Sequence, residues 1–271
     1  MTVLGLDIGG TKLAAGVVDL TGRVRSFRTA PTPVADGPVP ALDLLFSLGR
    51  QVMTDAEVVA VGVGCGGPLD ADRGVLLSPP HLPGWRDVPV AALAAREFGV
   101  PATVDNDGTA AAEAEHRFGA GAGTRQMVYL TLSTGVGGGV VLDGRLYRGA
   151  TGNGAELGHV VVDWQGRPCR GCGGRGCLEA YVSGTSIAER ARKAMDGAST
   201  LSTVDTVTAA DVAAHTAAGD PLATWVWQDT VAALGCGLTS IVNMLEPELV
   251  VLGGGVTRAG DALVAPVREV V

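Results

Sequence analysis

The chain states one local design twice. "LGLDIGGTKLAAGVVDLTGRV" (residues 4–24) is an apolar run, a glycine-rich turn, a second apolar run and a "GR" turn. "MVYLTLSTGVGGGVVLDGRLYRG" (127–149) has the same parts in the same order. Short apolar runs bounded by glycines read as buried strands, so each copy predicts a strand–turn–strand unit. Between and beyond the copies the pattern alternates. Helical spacing covers about Ala41 to Met53, 88–99 closed by Gly99, and 108–121 with Gly119 as C-cap; apolar strands cover 57–67 and 100–107. Later, 183–195 and 224–245 read as helices, and "ELVVLGGGV" (248–256) as a strand into a glycine turn. The repeat and the alternation together predict a duplicated α/β domain.

Composition removes several classes of function. The 271 residues are 46% apolar and 18% charged, a globular profile with room for one large domain or two medium ones. Net charge is −8 and the 18 Arg and two Lys are scattered, which argues against a surface for nucleic acid. No apolar run reaches the roughly 20 residues of a membrane span. Val3–Leu6 begin a strand at once, with no basic segment or cleavage site of a signal peptide. Five cysteines, three of them clustered, suit a reduced compartment and a metal better than a disulfide framework, so the expected location is cytoplasmic.

Glycine follows a strand at three places: after Asp7 (Gly9, Gly10, Thr11, Lys12), in Thr134–Gly139, and in Gly253–Gly255. Such turns let backbone N–H groups approach phosphate oxygens. "GGTK" reverses the Lys-Ser/Thr order of a Walker loop, and the first turn feeds a strand where a Rossmann fold demands a helix. Asp7 is placed to hold a Mg²⁺-bound water, with Thr11 and the turn amides on a phosphate. A plain tight hairpin is the competing reading of this turn alone.

"LGLDIGGTKLAAGVVD" resembles the first phosphate loop of the ROK family of sugar kinases and sugar-responsive repressors, in the actin-like ATPase superfamily. "TLSTGVGGGVVLDGRLYRGATGNGAELGH" is similar to its long signature segment, "PELVVLGGGV" to its nucleotide-side loop, and "SPPHLPGWRDVPV" to its substrate-side loop. The resemblance implies two actin-like (ribonuclease H-like) α/β domains with a cleft between them, here divided as 1–115 and 116–271. It implies ATP and Mg²⁺ at Asp7, Gly9, Gly10, Thr11, Lys12, Thr134, Gly135, Gly137, Gly254 and Gly255.

"VDNDGTAAAEAE" puts Asn106 and Asp107 where a buried strand meets a helix. Asp in that position is an excellent N-cap. Against capping as its sole duty, Asp105 and Asp107 lie two apart in the strand reading and would point to one face. The resemblance implies that Asp107 is the general base, taking a proton from a sugar hydroxyl as it attacks the γ-phosphate. It also implies that Asn106, Asp107, Glu156, His159 and Glu179 line the sugar. Glu156 and His159, three apart in "ELGH", share a face if that stretch is helical.

"HVVVDWQGRPCRGCGGRGCLEA" (159–180) sets His159, Cys169, Cys172 and Cys177 at H-x₉-C-x₂-C-x₄-C, a Cys₃His spacing suited to tetrahedral Zn²⁺. Four protein ligands would close the shell and make the metal structural. His159 and Glu179 would then be set by the same ion. This chain departs from the family at "CRGC" (one residue longer than Cys-x-Cys), at Gly66-Gly67-Pro68, at Pro80-His81, and at Gly108-Thr109 after the Asn-Asp pair. The Asn-Asp-Gly form is similar to the N-acylmannosamine kinase branch.

The expectation is an ATP-dependent hexose kinase, with glucose as first substrate and N-acylmannosamine or another hexose as the alternative. A sugar-sensing regulator without catalysis is the reading from another class. Repressors of the family carry a helix-turn-helix domain before the first glycine loop, and here that loop begins at Asp7. A homo-oligomer, dimer or tetramer, is expected. The chain stops at Val271, soon after its third glycine turn, where family members continue with a strand and a helix; it is read as shortened at this end.

Overall fold

The computed structural model describes residues 1–53, 57–195 and 197–271. The chain divides into two units: Met1–Gly123 with Leu146–Ala155, and Thr124–Arg145 with Glu156–Val271.

In the first unit, β1 (Thr2–Ile8) and β2 (Lys12–Asp19) form the expected hairpin, with Leu4 opposite Val17 and Leu6 opposite Ala15. β3 (Val24–Pro31) pairs with β2. The chain then crosses through α1 (Pro38–Val52) to β4 (Val58–Cys65), which lies parallel to β1 on its other side. A short ribbon follows, β5 (Leu69–Asp70) with β6 (Val75–Leu76), then α2 (Val90–Phe98). β7 (Ala102–Asn106) joins parallel to β4 and runs straight into α3 (Asp107–Phe118). The sheet order is β3-β2-β1-β4-β7.

The core follows from side-chain period. Leu4, Leu6 and Ile8 alternate inward on β1, and Val61, Val63 and Cys65 do so on β4. α1 presents Ala41, Leu42, Leu45, Phe46, Leu48 and Val52 at helical spacing. Each fully buried Leu of this kind contributes about 1.5–3 kcal/mol. Phe46 meets Phe98 of α2 edge-on, with ring centroids 5.6 Å apart.

One local expectation needs correction. β7 ends at Asn106, so Asp107 opens a helix and does not share a strand face with Asp105. The turn from strand to helix sends the two carboxylates to different partners. Gly119 ends α3 as expected, with φ −109° and ψ −147°. The Glu115 carboxylate fills the space where its Cβ would lie and accepts the Ala120 N–H at 3.1 Å.

A second sheet, most of it in the second unit, repeats the plan. β8 (Met127–Leu132) and β9 (Val136–Leu142) are antiparallel, and β10 (Arg145–Tyr147) follows β9. Helices α4 (Glu179–Val182), α5 (Gly184–Ala194), α6 (Ala209–Ala217) and α7 (Pro221–Leu245) come before β11 (Leu249–Gly253) and α8 (Asp261–Val270). β11 lies parallel to β8, and the order is β10-β9-β8-β11. That is the order of β3-β2-β1-β4, and β8 has an antiparallel neighbour in β9 and a parallel one in β11 as β1 has in β2 and β4: the sequence repeat is a structural repeat.

α7 is the spine of this unit. Asp220 caps it by accepting the Ala223 N–H, and it buries Val226, Trp227, Thr230, Val231, Leu234, Leu238 and Ile241. Arg190 of α5 is buried against it. Its guanidinium donates to Tyr181 O and Asp229 Oδ2, both at 2.6 Å. Among the described residues no helix is long and apolar enough to cross a membrane.

Breaking a buried pair strands a charge, whereas an exposed pair is worth little. Asp229→Ala is therefore expected to destabilise the protein by about 3 kcal/mol in urea unfolding, the lower end for such pairs because Asp229 is 33% exposed. A loss under about 1 kcal/mol would mean that the pair is not a buried one in effect.

Candidate active site and metal centre

In the first unit the turn after β1 brings Gly9, Gly10, Thr11 and Lys12 together. Gly9 N–H donates to Lys12 O at 3.1 Å, and the Thr32 hydroxyl donates to Gly9 O at 2.6 Å, closing the turn. Thr11 and Lys12 stay exposed at its tip. β1, β4 and the start of α3 converge beneath it. A Cβ on Gly64 would lie 3.7 Å from Asp7 Oδ1 and 3.8 Å from Asp107 Cα, so the glycine separates the two acids by one small residue.

Asn106, not Asp107, caps α3: its side-chain oxygen accepts the N–H groups of Gly108 at 2.9 Å and Thr109 at 3.1 Å. Asp107 is the first helical residue and is exposed, and its carboxylate also accepts the Gly108 N–H at 2.8 Å. With the cap supplied by its neighbour, Asp107 is left at the surface for other work. Asp105 turns away and is bound by Arg148 at 2.7 Å.

The cluster is electrostatically tense. Burial, then the nearby Asp107, raise the Asp7 carboxyl to about 6, while Lys12 pulls it down. The Cys65 thiol is also pushed up, first by burial and then by Asp107 and Asp7. His81, absent from the sequence-based site, belongs here. A Cβ on Gly66 would lie 2.6 Å from His81 Cε1, and one on Gly10 would lie 3.3 Å from Cδ2. Packing lowers the His81 pKa and the Asp107 charge opposes that shift. The only sequence signal for it was the Pro80-His81 departure.

In the second unit Glu179, the first residue of α4, is the joint. Its Oε2 accepts the Val136 N–H at 3.0 Å and lies 2.8 Å from where a Gly135 Cβ would stand. The second glycine turn thus closes on a carboxylate, with Thr134 exposed beside it. Gly137 lies one step further on, inside β9 and opposite Thr131. The third turn is a neighbour: Gly254, at φ 90°, packs on Leu132 O just before the second turn, and Gly255 opens a short 3₁₀ helix into free space.

Glu156 and His159 bracket the 3₁₀ turn Leu157–His159, with His159 N–H donating to Glu156 O at 3.0 Å. His159 Nδ1 and the sulfurs of Cys169, Cys172 and Cys177 face one another; all four ligand atoms lie within 4.8 Å. Cys169 Sγ is 3.7 Å from His159 Nδ1, and Cys172 Sγ is 3.5 Å from Cys177 Sγ. The edge of a tetrahedron with Zn–S bonds of about 2.3 Å is about 3.8 Å, so the set fits zinc. Backbone bonds shape the knuckle: Cys169 N–H to Gly174 O at 2.8 Å, and Gly173 N–H back to Cys169 O at 3.0 Å.

Burial and the neighbouring thiols push Cys177 up to about 12, and burial likewise raises Cys169. At Cys172 burial is outweighed by the Gly174 N–H and the adjacent thiols, and its pKa falls. A dication would ionise the set. The extra residue of "CRGC" divides its neighbours: Arg170 points outward, and Gly171 turns inward. A Cβ on Gly171 would stand 2.5 Å from Glu179 Oε1 and 3.2 Å from His159 Cε1.

Two repeated sheets, each with a glycine turn between its first two strands, are the actin-like plan found in phosphotransferases. The sequence profile described as "ROK family" matches residues 3–271, and the chain belongs to that family. A glucokinase of Streptomyces coelicolor is 34% identical over 98% of this chain and 86% of its own length. An N-acetylmannosamine kinase of Citrobacter koseri is 37% identical over 99% of this chain and 88% of its own. The crystal structure of a ROK glucokinase from Streptomyces griseus with glucose and AMPPNP superposes with a TM-score of 0.88 at 33% identity, covering 100% of this chain and 88% of that one.

Asp7 holds its proton more tightly when folded (about 6) than at its ordinary 3.8, so the stability it lends below pH 4 is lost as pH rises through 6. In metal-free, nucleotide-free protein, Asp7→Asn should raise stability at pH 7.5 by up to roughly 3 kcal/mol. The gain should shrink toward zero as pH falls from 6 to 4. A gain that does not vary with pH would show that the Asp7 charge is not under strain.

Metal analysis of the purified protein is expected to give about one zinc per chain, the stoichiometry of one closed four-ligand site. Cys172→Ser should lose the metal and open residues 165–178 to protease. An unchanged digestion pattern in metal-free protein would show that the knuckle does not need the ion.

Proposed function

We propose that this protein is an ATP-dependent hexose kinase, with glucose as its principal substrate. The observation that carries the reading is Asp107. It is an exposed carboxylate at the start of α3, relieved of capping by Asn106 and set beside Asp7 and the first glycine turn. Membership of the ROK family and the glucokinase relatives support the same activity.

In this reading the sugar hydroxyl gives its proton to Asp107 as its oxygen attacks the γ-phosphate of ATP. Asn106, Glu156, His159 and Glu179 hydrogen-bond the other hydroxyls, so a sugar of the wrong stereochemistry leaves polar groups unpaired. Thr11, Lys12 and the amides of Gly9 and Gly10 are phosphate-binding groups, as are Thr134, Gly135, Gly137, Gly254 and Gly255. Asp7 orients the water shell of Mg²⁺, which when bound neutralises phosphate charge. The zinc, when bound, cross-links the loop and offers no open coordination position.

His159 faces the cysteines through Nδ1, leaving Nε2 for a sugar hydroxyl. Glu179 is doubly placed, by the second glycine turn and by the knuckle. The N-acetylmannosamine kinase relative keeps a second substrate in view, favoured by the Asn106-Asp107-Gly108 sequence.

A coupled ADP-release assay over glucose, mannose, N-acetylmannosamine, fructose and allose decides between them. Glucose should give the highest kcat/KM, and N-acetylmannosamine in first place would replace it. Asp107→Asn should lower kcat by about 10²–10⁴-fold, the contribution of a positioned base, with sugar KM changed far less. No turnover of any sugar by zinc-loaded wild type would favour the non-catalytic sensor.

A further inference from the structure

On the outer side of the zinc knuckle, within the second unit, lies a cavity of about 370 Å³. That is within the range of small-molecule sites, about 300–1,000 Å³. One face of α5 (Glu189, Arg190, Lys193) forms its floor; Arg167 and Arg170 of the knuckle and Trp225 of α7 form its walls. None of these residues belongs to the proposed catalytic or sugar-binding set.

The charges do not balance. Glu189 is shared by Lys193 at 2.8 Å and Arg170 at 3.6 Å. Asp229 is shared by Arg190 at 2.6 Å and Arg167 at 3.1 Å. Four cations thus meet two carboxylates. The Nε atoms of Arg167 and Arg190 are buried and have no hydrogen-bond partner among the described residues. Excess positive charge is felt on both sides: Glu189 is held below its ordinary value, first by Lys193, and Arg190 is lowered to about 10, first by burial and also by Arg167.

We propose that this cavity is a regulatory site for a small phosphate-bearing anion, with Arg170 and Lys193 as its principal contacts. The excess positive charge, one beyond Glu189 and one beyond Asp229, matches a phosphate group, which carries about −1.5 to −2 at neutral pH. The guanidinium fork and the ammonium point charge are the donors that such oxygens take. Trp225, half exposed, offers an apolar wall to whatever the phosphate is attached to.

The site is joined to the sugar wall by one peptide. Arg170 lies in the cavity, and the next residue, Gly171, faces Glu179 and His159 with no room for a side chain between. An anion that draws Arg170 from Glu189 moves Gly171 against those two groups. The residue that lengthens the knuckle is therefore the one that carries the signal. The coupling to sugar binding rests on the proposed kinase reading; the binding itself does not.

The test is calorimetric titration of the zinc-loaded chain with inorganic phosphate and, separately, with glucose 6-phosphate. Wild type should bind, and Arg170→Ala/Lys193→Ala should bind about tenfold or more weakly, as loss of two charge-assisted contacts requires. Tighter binding of the ester than of free phosphate identifies an organic phosphate as the ligand; equal binding identifies phosphate itself. No binding, or equal binding by wild type and the double variant, overturns the site.

In initial-rate assays saturating anion should raise the sugar KM of wild type roughly threefold, within the range of ordinary allosteric coupling. Lys193→Ala should keep the anion-free rate and lose the response. Binding without a change in KM overturns the coupling. Absence of kinase activity altogether would remove the proposed function and leave the calorimetry to decide the cavity.

Discussion

The Glu179 carboxylate ties together three parts of the second unit that are far apart in sequence. One oxygen accepts the Val136 N–H and presses on Gly135, fixing the turn between β8 and β9. The other lies against Gly171 and receives the Cys169 thiol at 3.5 Å. A glycine turn suited to phosphate and a knuckle suited to zinc are thereby referred to one side chain, itself held at the first residue of α4. Neither side has slack, because both glycines already sit closer to the carboxylate than a Cβ would permit. Geometry at one end is felt at the other. The turn and the knuckle are held in register by that one side chain.

The first unit shows the opposite strategy, a cluster held together against its own electrostatics. Asp7 and Asp107 are brought near each other by β1, β4 and α3, and each raises the proton affinity of what lies nearby. Cys65 and Asp7 both feel Asp107. Such repulsion lowers the stability of the protein and would be relieved by a nearby cation. Lys12 is the built-in counterweight, and it is exposed and small in effect. The fold tolerates the strain because the hydrophobic layers beneath, on β1, β4 and α1, are fully buried.

Much of this was legible in the sequence, and the reasons are physical. Strand and helix periods are local, so β1, β2, β4, β7 and their turns could be read directly from apolar runs and glycines. The repeat was visible because glycine turns and apolar strands are coarse features that survive divergence. The Cys₃His spacing was legible because ligands of one metal must be near in the fold, and three of these are near in the chain. What failed were features decided at junctions. The same-face argument for Asp105 and Asp107 required the strand to continue one residue further than it does. His81 showed only as the Pro80-His81 departure, because its neighbours Gly10 and Gly66 belong to other strands' ends.

Arg170 and Gly171 show how one added residue divides its consequences. In a tight metal knuckle an extra residue has to go somewhere without moving the sulfurs. Here the backbone admits it by sending a long charged side chain outward and leaving no side chain inward, where Glu179 and His159 already fill the space. Any residue but glycine at 171 would displace one of them, and a short apolar residue at 170 would leave Glu189 to Lys193 alone. The pair Arg-Gly is thus what the two faces of the loop demand together. A change that serves the Cys₃His cluster on one side writes a new charge on the other, and the cluster comes to lie between Glu179 and a cationic cavity.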